Sequence, residues 1–360
     1  MGKRKLPEKV KDFFNIVLQD PYRKSITRII CEYGRFLFTS RSITEQYFSK
    51  FLYRKGVSNF EDYVMTHKLR DKCWTLNHPD YNSIMDNKYL FEVFFKKHNI
   101  RVTTSFAYNI NSLFFIDNDF EQINTKEEFL EFIRTIAKKS LQSENIFIKK
   151  NTGSGGGKQI FRVSYKSLKD NEQELERIFS IVRGADFVFQ EEVIQHEEIS
   201  RLNSYCVNTL RIETFTNSDN VSRIMSGILR IGFNKSFIDN VSKGGAYVGI
   251  DFRAGKLRAE AVSDFTNGRA RTYLEHPETK LRFEGYNLPF FEEIVALVIS
   301  ASQCIPQVKV IGWDVAITPD GPLLIEGNEL PGLMSSDIGQ KGLGNNPVFL
   351  DLQKEVTELG

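Results

Sequence analysis

Two carboxylates and one amide near the C-terminus, Asp314, Glu326 and Asn328, are spaced to face one another across a β-hairpin. Val308 to Thr318 and Leu323 to Asn328 are β-rich runs. Pro319-Asp320-Gly321 between them is turn chemistry: proline presets φ, aspartate bonds its own backbone, and glycine takes φ > 0. A turn centred near Asp320 puts Asp314 opposite Glu326, and Asn328 shares that face because strand side chains alternate. Opposed carboxylates repel, so a half-buried pair needs a cation or a shared proton. Two carboxylates and an amide suit Mg²⁺ or Mn²⁺ and do not suit zinc. The competing reading is an exposed edge hairpin with scattered charges.

A second group of residues suits phosphate. Thr152, Gly153, Ser154, Gly155, Gly156 and Gly157 form a loop between two short β-runs, directly after Lys149 and Lys150. Glycines let backbone N–H groups approach an anion, and a strand-borne lysine adds a full charge. The pattern is that of a hairpin lid over nucleotide phosphates. It is not a Walker A loop, since Gln159 follows Lys158 and no helix starts there, and a dinucleotide fingerprint would also need a helix next. A merely mobile hairpin is the bland alternative, but four glycines in five positions cost stability for no structural return.

Three further segments are candidates. The apolar run Phe187 to Val193 turns polar at Gln190, Glu191 and Glu192, where exposed backbone groups could pair with an adenine edge. Arg211, in Asn208-Thr209-Leu210-Arg211, carries a bidentate fork suited to a phosphate, and equally to a structural salt bridge. Lys243 lies in Asn240-Val241-Ser242-Lys243-Gly244-Gly245, which reads either as an anion-binding loop or as a turn.

Composition limits what can position these groups. With 360 residues, 41% apolar and 26% charged, the chain can build two or three lobes with real cores. It shows no apolar run of bilayer length, and Met1 to Glu8 lacks a signal-peptide core, so a cytoplasmic location is expected. Four scattered cysteines and five unpaired histidines argue against a zinc centre. Residues 1 to 60 hold 13 Lys and Arg against 5 Asp and Glu, although the whole chain is only +2. That basic region suits an anionic membrane face, a lipid-linked sugar or another phosphate-bearing partner, or is a solvated helical surface. No nucleic-acid motif accompanies it.

Residues 1 to about 80 read as helices, with apolar spacing at Val10 to Leu18 and Ile26 to Phe38. Lys88 to Lys97 is a further helix, with Asp86 as N-cap. Strand-like runs follow at Arg101 to Ala107 and Ser112 to Ile116. Thr125 to Glu128 is a capping box, and Asn145 to Lys150 and Gln159 to Ser164 are strands flanking the glycine loop. From Val207 onward β-rich segments dominate until a helix at Phe290 to Ser302 and the hairpin.

Taken in order, Lys88, Lys149, the glycine loop, Gln190 to Val193, Arg211, Asp314, Glu326 and Asn328 resemble the ATP-grasp superfamily. Asn208-Thr-Leu-Arg-Ile212, the Asn240 to Gly245 segment and Gly312 to Pro322 resemble most closely its sugar-transfer-associated branch, over residues 86 to 346. The resemblance implies an α+β fold in which two α+β lobes clamp ATP, a first lobe with the lid over 81–193 and a second with the hairpin over 194–360, beside the helical basic region read from the residues over 1–80. It implies Lys149 and Lys88 on the phosphates, adenine at the Glu191 and Val193 backbone, and Mg²⁺ on Asp314, Glu326 and Asn328. Arg211 and Lys243 would then serve the reacting groups.

The implied reaction is ATP-dependent joining of a carboxylate to an amine or other nucleophile through an acyl phosphate, on a sugar or polysaccharide precursor. Such chemistry needs positioning and charge neutralisation rather than a protein nucleophile. A kinase acting on a hydroxyl and a non-catalytic nucleotide-binding protein are the alternatives. Two departures stand out: Lys150 replaces a common proline, and residues 1–80 lack the α/β domain that binds the acceptor in many relatives.

Overall fold

The computed structural model describes residues 16–40, 46–64, 75–140, 143–153, 159–233, 244–263 and 271–358. Their strands form two antiparallel sheets, giving the expected α+β class. The first sheet joins β1 (Ser105–Ile110), β2 (Leu113–Ile116), β3 (Asp119–Gln122), β4 (Asn145–Lys150), β5 (Ile160–Ser164) and β6 (Phe187–Glu191) in the order β3-β2-β1-β6-β4-β5. The second joins β7 (Leu210–Thr216), β8 (Ser222–Ile231), β9 (Ala246–Asp251), β10 (Lys256–Ser263), β11 (Thr272–Tyr273), β12 (Val310–Thr318) and β13 (Gly321–Asn328) in the order β11-β10-β9-β8-β7-β12-β13.

Alternation in β4 decides which way Lys149 points. Ile146 and Ile148 are fully buried against Phe187, Phe189 and the helices Lys126–Ala137 and Glu172–Val182. Phe147 and Lys149 are therefore left on the opposite face. The first of these helices begins with the expected capping box: Glu128 N–H donates to Thr125 Oγ1 (3.2 Å) and Thr125 N–H to Glu128 Oε2 (3.1 Å).

One face of the second sheet, with Leu210, Ile212, Ile311, Trp313 and Val315, packs against helix Phe291–Cys304. The Trp313 indole N–H, fully buried, donates to Thr214 Oγ1 (2.9 Å) and Ser302 Oγ (3.1 Å). Met85, Phe91 and Phe95 join the same core, so the helix carrying Lys88 is built onto the second sheet although it precedes the first in sequence. Its N-cap is Asn87, whose side chain accepts from Leu90 N–H at 2.9 Å. Asp86, the residue expected to cap, instead accepts from Gly153 N–H at 3.3 Å and ties the stem of the glycine loop to this helix.

The opposite face of the second sheet carries Arg211, Glu213, Arg230 and Asp314, and beside them Ile228 and Tyr247. The N-terminal region, whose described part includes helices Ile26–Ser40 and Gln46–Ser49 together with non-helical segments, packs over that flank: Tyr47, Phe51, Tyr53 and Tyr63 share a core with Ile228, Tyr247, Val262 and Ile338. A buried ion pair crosses the junction, Lys50 Nζ donating to Asp337 Oδ2 at 2.6 Å. Asp337 also accepts from Leu343 N–H (2.8 Å) and Val64 N–H (3.3 Å). Burial lowers the Lys50 ammonium and raises the Asp337 carboxyl, while each one's charge opposes the other's shift.

Glycine is required where the C-terminal segment crosses this face. A Cβ on Gly249 would lie 2.0 Å from the Gly339 carbonyl oxygen, and backbone cannot step aside as a side chain can. Gly249→Ala is expected to cost about 1–3 kcal/mol by overpacking, read as a lower urea midpoint at unchanged slope; an unaltered midpoint refutes it.

Candidate functional site

The hairpin brings the two carboxylates together by a route the sequence does not contain. Thr318 pairs with Gly321, so the turn is Pro319-Asp320 alone, and Gly321 takes φ +106°. That centre would set Asp314 opposite Ile325. A β-bulge between Asp314 and Val315 inserts one residue on β13, and Asp314 pairs with Glu326 after all.

Asp314 is almost fully buried and held by two arginines. Arg211 binds it bidentately, Nε to Oδ1 at 2.5 Å and Nη2 to Oδ2 at 2.9 Å, and Arg230 Nη1 reaches Oδ2 at 3.1 Å. Of the two readings of Arg211, the structure shows the salt bridge. Burial would raise the Asp314 carboxyl, but Arg211 and Arg230 outweigh it and hold the group well below the carboxylate range. Arg230 escapes sequence analysis because its strand, Ser222–Ile231, reads as a mainly apolar run with an arginine near each end, and nothing local says which of Arg223 and Arg230 meets Asp314.

Glu326 lies across from Asp314 and meets Lys88 Nζ at 3.5 Å. Lys88 is delivered by the start of its helix, whose backbone docks on the end of β4: Lys88 N–H donates to Asn151 O (3.0 Å) and Tyr89 N–H to Asn151 Oδ1 (3.0 Å). Lys149, two residues earlier in that strand, joins the group. Desolvation first, and then the neighbouring Lys88 charge, push its ammonium down to about 8, with Glu326 pulling the other way. Asn328 Nδ2 donates to Gly312 O at 3.2 Å, which leaves Oδ1 as its acceptor for a ligand.

Glu213 is a further buried acid on the Arg211 face, unanticipated from sequence. Its carboxylate accepts from Ser226 Oγ (2.8 Å) and Ser336 Oγ (2.6 Å). Burial raises it to about 6 despite Ser336, Arg211, Ser226 and Arg230, which all favour the charged form.

The two sheets are joined by crossing segments, around residues 98–104 and 192–196. The first is stapled to β13 by Leu324 N–H to Arg101 O (3.0 Å) and Thr103 N–H to Leu324 O (3.2 Å), and the second to β12 by His196 N–H to Ile317 O (2.8 Å). A cleft of about 590 Å³ between them is lined by Thr104, Glu191, Val193, Ile194 and Leu323 among others, but not by Lys88, Lys149, Asp314 or Glu326. Gln190 is buried and donates to Thr103 Oγ1 at 3.0 Å, and Glu191 N–H donates to Thr104 O at 2.9 Å. Both groups are therefore engaged within the protein, and Val193 is the expected contact that lines the cleft without such a bond.

Thr152 and Gly153 are exposed, with Gly153 at φ +64°. Ser154, Gly155, Gly156, Gly157 and Lys243 lie outside the described residues. Among the described residues no three His, Cys, Asp or Glu side chains assemble a metal cage.

The family model described as "Sugar-transfer associated ATP-grasp" matches residues 70–348. No curated protein matches the chain. Among solved structures, D-alanyl-alanine synthetase A from Vibrio cholerae is 14% identical, with 78% of this chain and 68% of that chain covered and a TM-score of 0.45. D-Alanine–D-alanine ligase from Bacillus anthracis complexed with ATP is 12% identical, with 84% and 78% covered and a TM-score of 0.43. The ADP complex of purK, N5-carboxyaminoimidazole ribonucleotide synthetase, is 14% identical at a TM-score of 0.40; the match covers 74% of this chain and spans about half, 53%, of that protein. These are distant likenesses of shape.

Proposed function

We infer, from the premise that this chain belongs to the sugar-transfer-associated ATP-grasp family, that it is an ATP-dependent ligase joining a carboxylate to an amine or related nucleophile. The observation that carries this reading is a charge balance. Lys88, Lys149, Arg211 and Arg230 converge on Asp314 and Glu326, with Glu213 a third acid beside the arginines, so cations exceed anions by one in a largely buried setting. A triphosphate bears about four negative charges, and one Mg²⁺ brings it to about minus two, which complements the site.

The oxygen donors fit Mg²⁺. That ion binds through one or two carboxylates plus substrate phosphates, without a full protein cage. Glu326 is one-third exposed, Asn328 Oδ1 is available, and Asp314 spends three of its four lone-pair positions on arginines. When bound, the metal would neutralise phosphate charge and polarise the transferring phosphoryl group.

In this reading Lys88 and Lys149 hold the phosphates and the Thr152 to Gly157 loop covers them. The cleft floored by Leu323 and edged by Val193 takes the base. Arg211 fixes Asp314 with Nε and Nη2 and turns its remaining edge to the phosphoryl group, and Lys243 lies in a second anion loop. The lobes are residues 81–193 and 194–360, with the Lys88 helix lending its apolar face to the second core. The substrate carboxylate oxygen bonds to the γ-phosphorus and ADP leaves. The nucleophile then attacks the acyl carbon, inorganic phosphate departs, and the nucleophile's proton is lost. A saccharide-borne acceptor follows only from the family's description.

Product analysis tests this reading. A ligase releases ADP and free phosphate only when carboxylate and nucleophile are both supplied, for example uronic acids paired with amino acids. ADP without free phosphate, together with a phosphorylated hydroxyl, would make it a kinase. Failure to bind ATP with Mg²⁺ would leave a non-catalytic protein.

Lys149 makes the pH dependence specific. Its ammonium sits near 8 in the free protein, and a bound polyphosphate favours the protonated form and so raises it. ATP affinity should therefore be full below pH 8 and fall above it, by at most about tenfold per pH unit. Lys149→Met should weaken binding and flatten that profile in calorimetry; a wild-type profile in the variant would remove Lys149 from the site.

A further inference from the structure

We propose that the outer face of the N-terminal helix Ile26–Ser40 docks this protein on an anionic lipid bilayer. The inner side of the helix is pinned: Ile29 and Phe36 are buried, and Glu32 accepts from Lys24 Nζ (2.5 Å), Arg28 Nε (2.7 Å) and Tyr47 OH (2.8 Å). The helix cannot roll to hide what remains outside. There Ile26, Ile30 (65% exposed) and Phe38 (88% exposed) follow one another at multiples of four residues, and Tyr22 and Leu18 continue the exposed apolar set toward the N-terminus. Each step of four advances a helical row by about 40°, so Ile26, Ile30 and Phe38 form one slanted stripe spread over about 120° of the helix's outer side. Gly34 lies in the same row, with nothing within 4 Å of where a Cβ would stand.

A contiguous exposed apolar stripe marks a docking surface rather than ordinary surface scatter. Its surroundings select the partner. Arg28 and Arg35 flank it and stay more than half exposed although each has a glutamate partner. Residues 1 to 60 together hold 13 Lys and Arg against 5 Asp and Glu. Apolar residues on one side with a cationic margin are what an interfacial helix presents to anionic lipid, its apolar face in the acyl boundary and its cations at the headgroups. A second copy of the chain is the poorer fit, because two positively charged faces would meet. No helix among the described residues is long and apolar enough to cross a membrane, so the contact is peripheral.

Full-length protein is sedimented with mixed phosphatidylglycerol–phosphatidylcholine vesicles and with phosphatidylcholine alone. The expected result is partition onto the anionic vesicles only, weakening in high salt. Ile30→Glu with Phe38→Glu should lower it at least about tenfold, with an unchanged thermal transition because both side chains are exposed. Gly34→Leu, entering open space within the stripe, should raise it at an unchanged thermal transition and with no pelleting in the absence of vesicles. Absence of wild-type partition, equal partition onto neutral vesicles, or variants that bind like wild type would overturn the proposal. So would a dimer that Phe38→Glu splits without any vesicle binding, which would assign the stripe to self-association.

Discussion

Glu326→Gln will lower Mg²⁺-dependent ATP affinity by about a hundredfold or more while leaving the fold intact. Glu326 sits at the mouth of the site, one-third exposed, and the amide of the variant keeps an oxygen to accept from the mostly buried Lys88, whose ion pair is a long 3.5 Å. The same change makes the surroundings more positive by one unit. ATP without metal should then bind as well as before or better. This opposite movement of the two affinities separates a metal ligand from a general binding residue. Titration calorimetry with and without Mg²⁺ reads both, and an unchanged Mg²⁺ requirement would sink the assignment.

Asp314→Ala will instead destabilise the protein itself, by about 3–5 kcal/mol. Arg211 and Arg230 both lean on this carboxylate, and Arg211 is the more deeply buried. Truncation takes from two guanidinium groups the carboxylate they both bond, leaving Glu213 and Glu326 as the remaining acids around Arg211. Simultaneous Arg211→Met should recover part of the loss, because the stranded charge rather than the missing bond sets the cost. The sign with pH follows from the depressed carboxyl. Its stabilisation is complete above about pH 4, the ordinary carboxyl range, and is lost as pH falls toward the lower folded value. Urea midpoints of wild type and variant across acid pH should converge; a constant gap would mean that the ion pairs contribute nothing.

Much of the site is legible in the chain because it depends on local rules. Alternation along Asn145–Lys150 puts Lys149 opposite the buried Ile146 and Ile148, and this needs only the period of a strand. Thr125 and Glu128 cap their helix through bonds that span three residues. The facing of Asp314 and Glu326 is a half-local case. Turn chemistry predicts it, yet the two-residue turn would miss by one position without the bulge after Asp314.

What escapes is whatever depends on which distant segments meet. Lys88 reaches Glu326 because its helix buries Met85, Phe91 and Phe95 beside Trp313, a packing choice that no periodicity encodes. Arg230 reaches Asp314 because β7 stands between β8 and β12, which places strands from different parts of the chain side by side. The N-terminal helices, read from sequence as a separate basic region, lie on the flank of the very face that bears Arg211 and Asp314, locked there by Lys50 and Asp337. Sequence by itself thus determined the donor types, the glycine-rich run after Lys149 and the strands that flank it, since these follow from residue identity and backbone geometry over a few residues. Only the tertiary structure decided that four cations gather among Asp314, Glu326 and Glu213 and that an apolar stripe stays in solvent, because strand order and core packing are settled by burial summed over the whole chain.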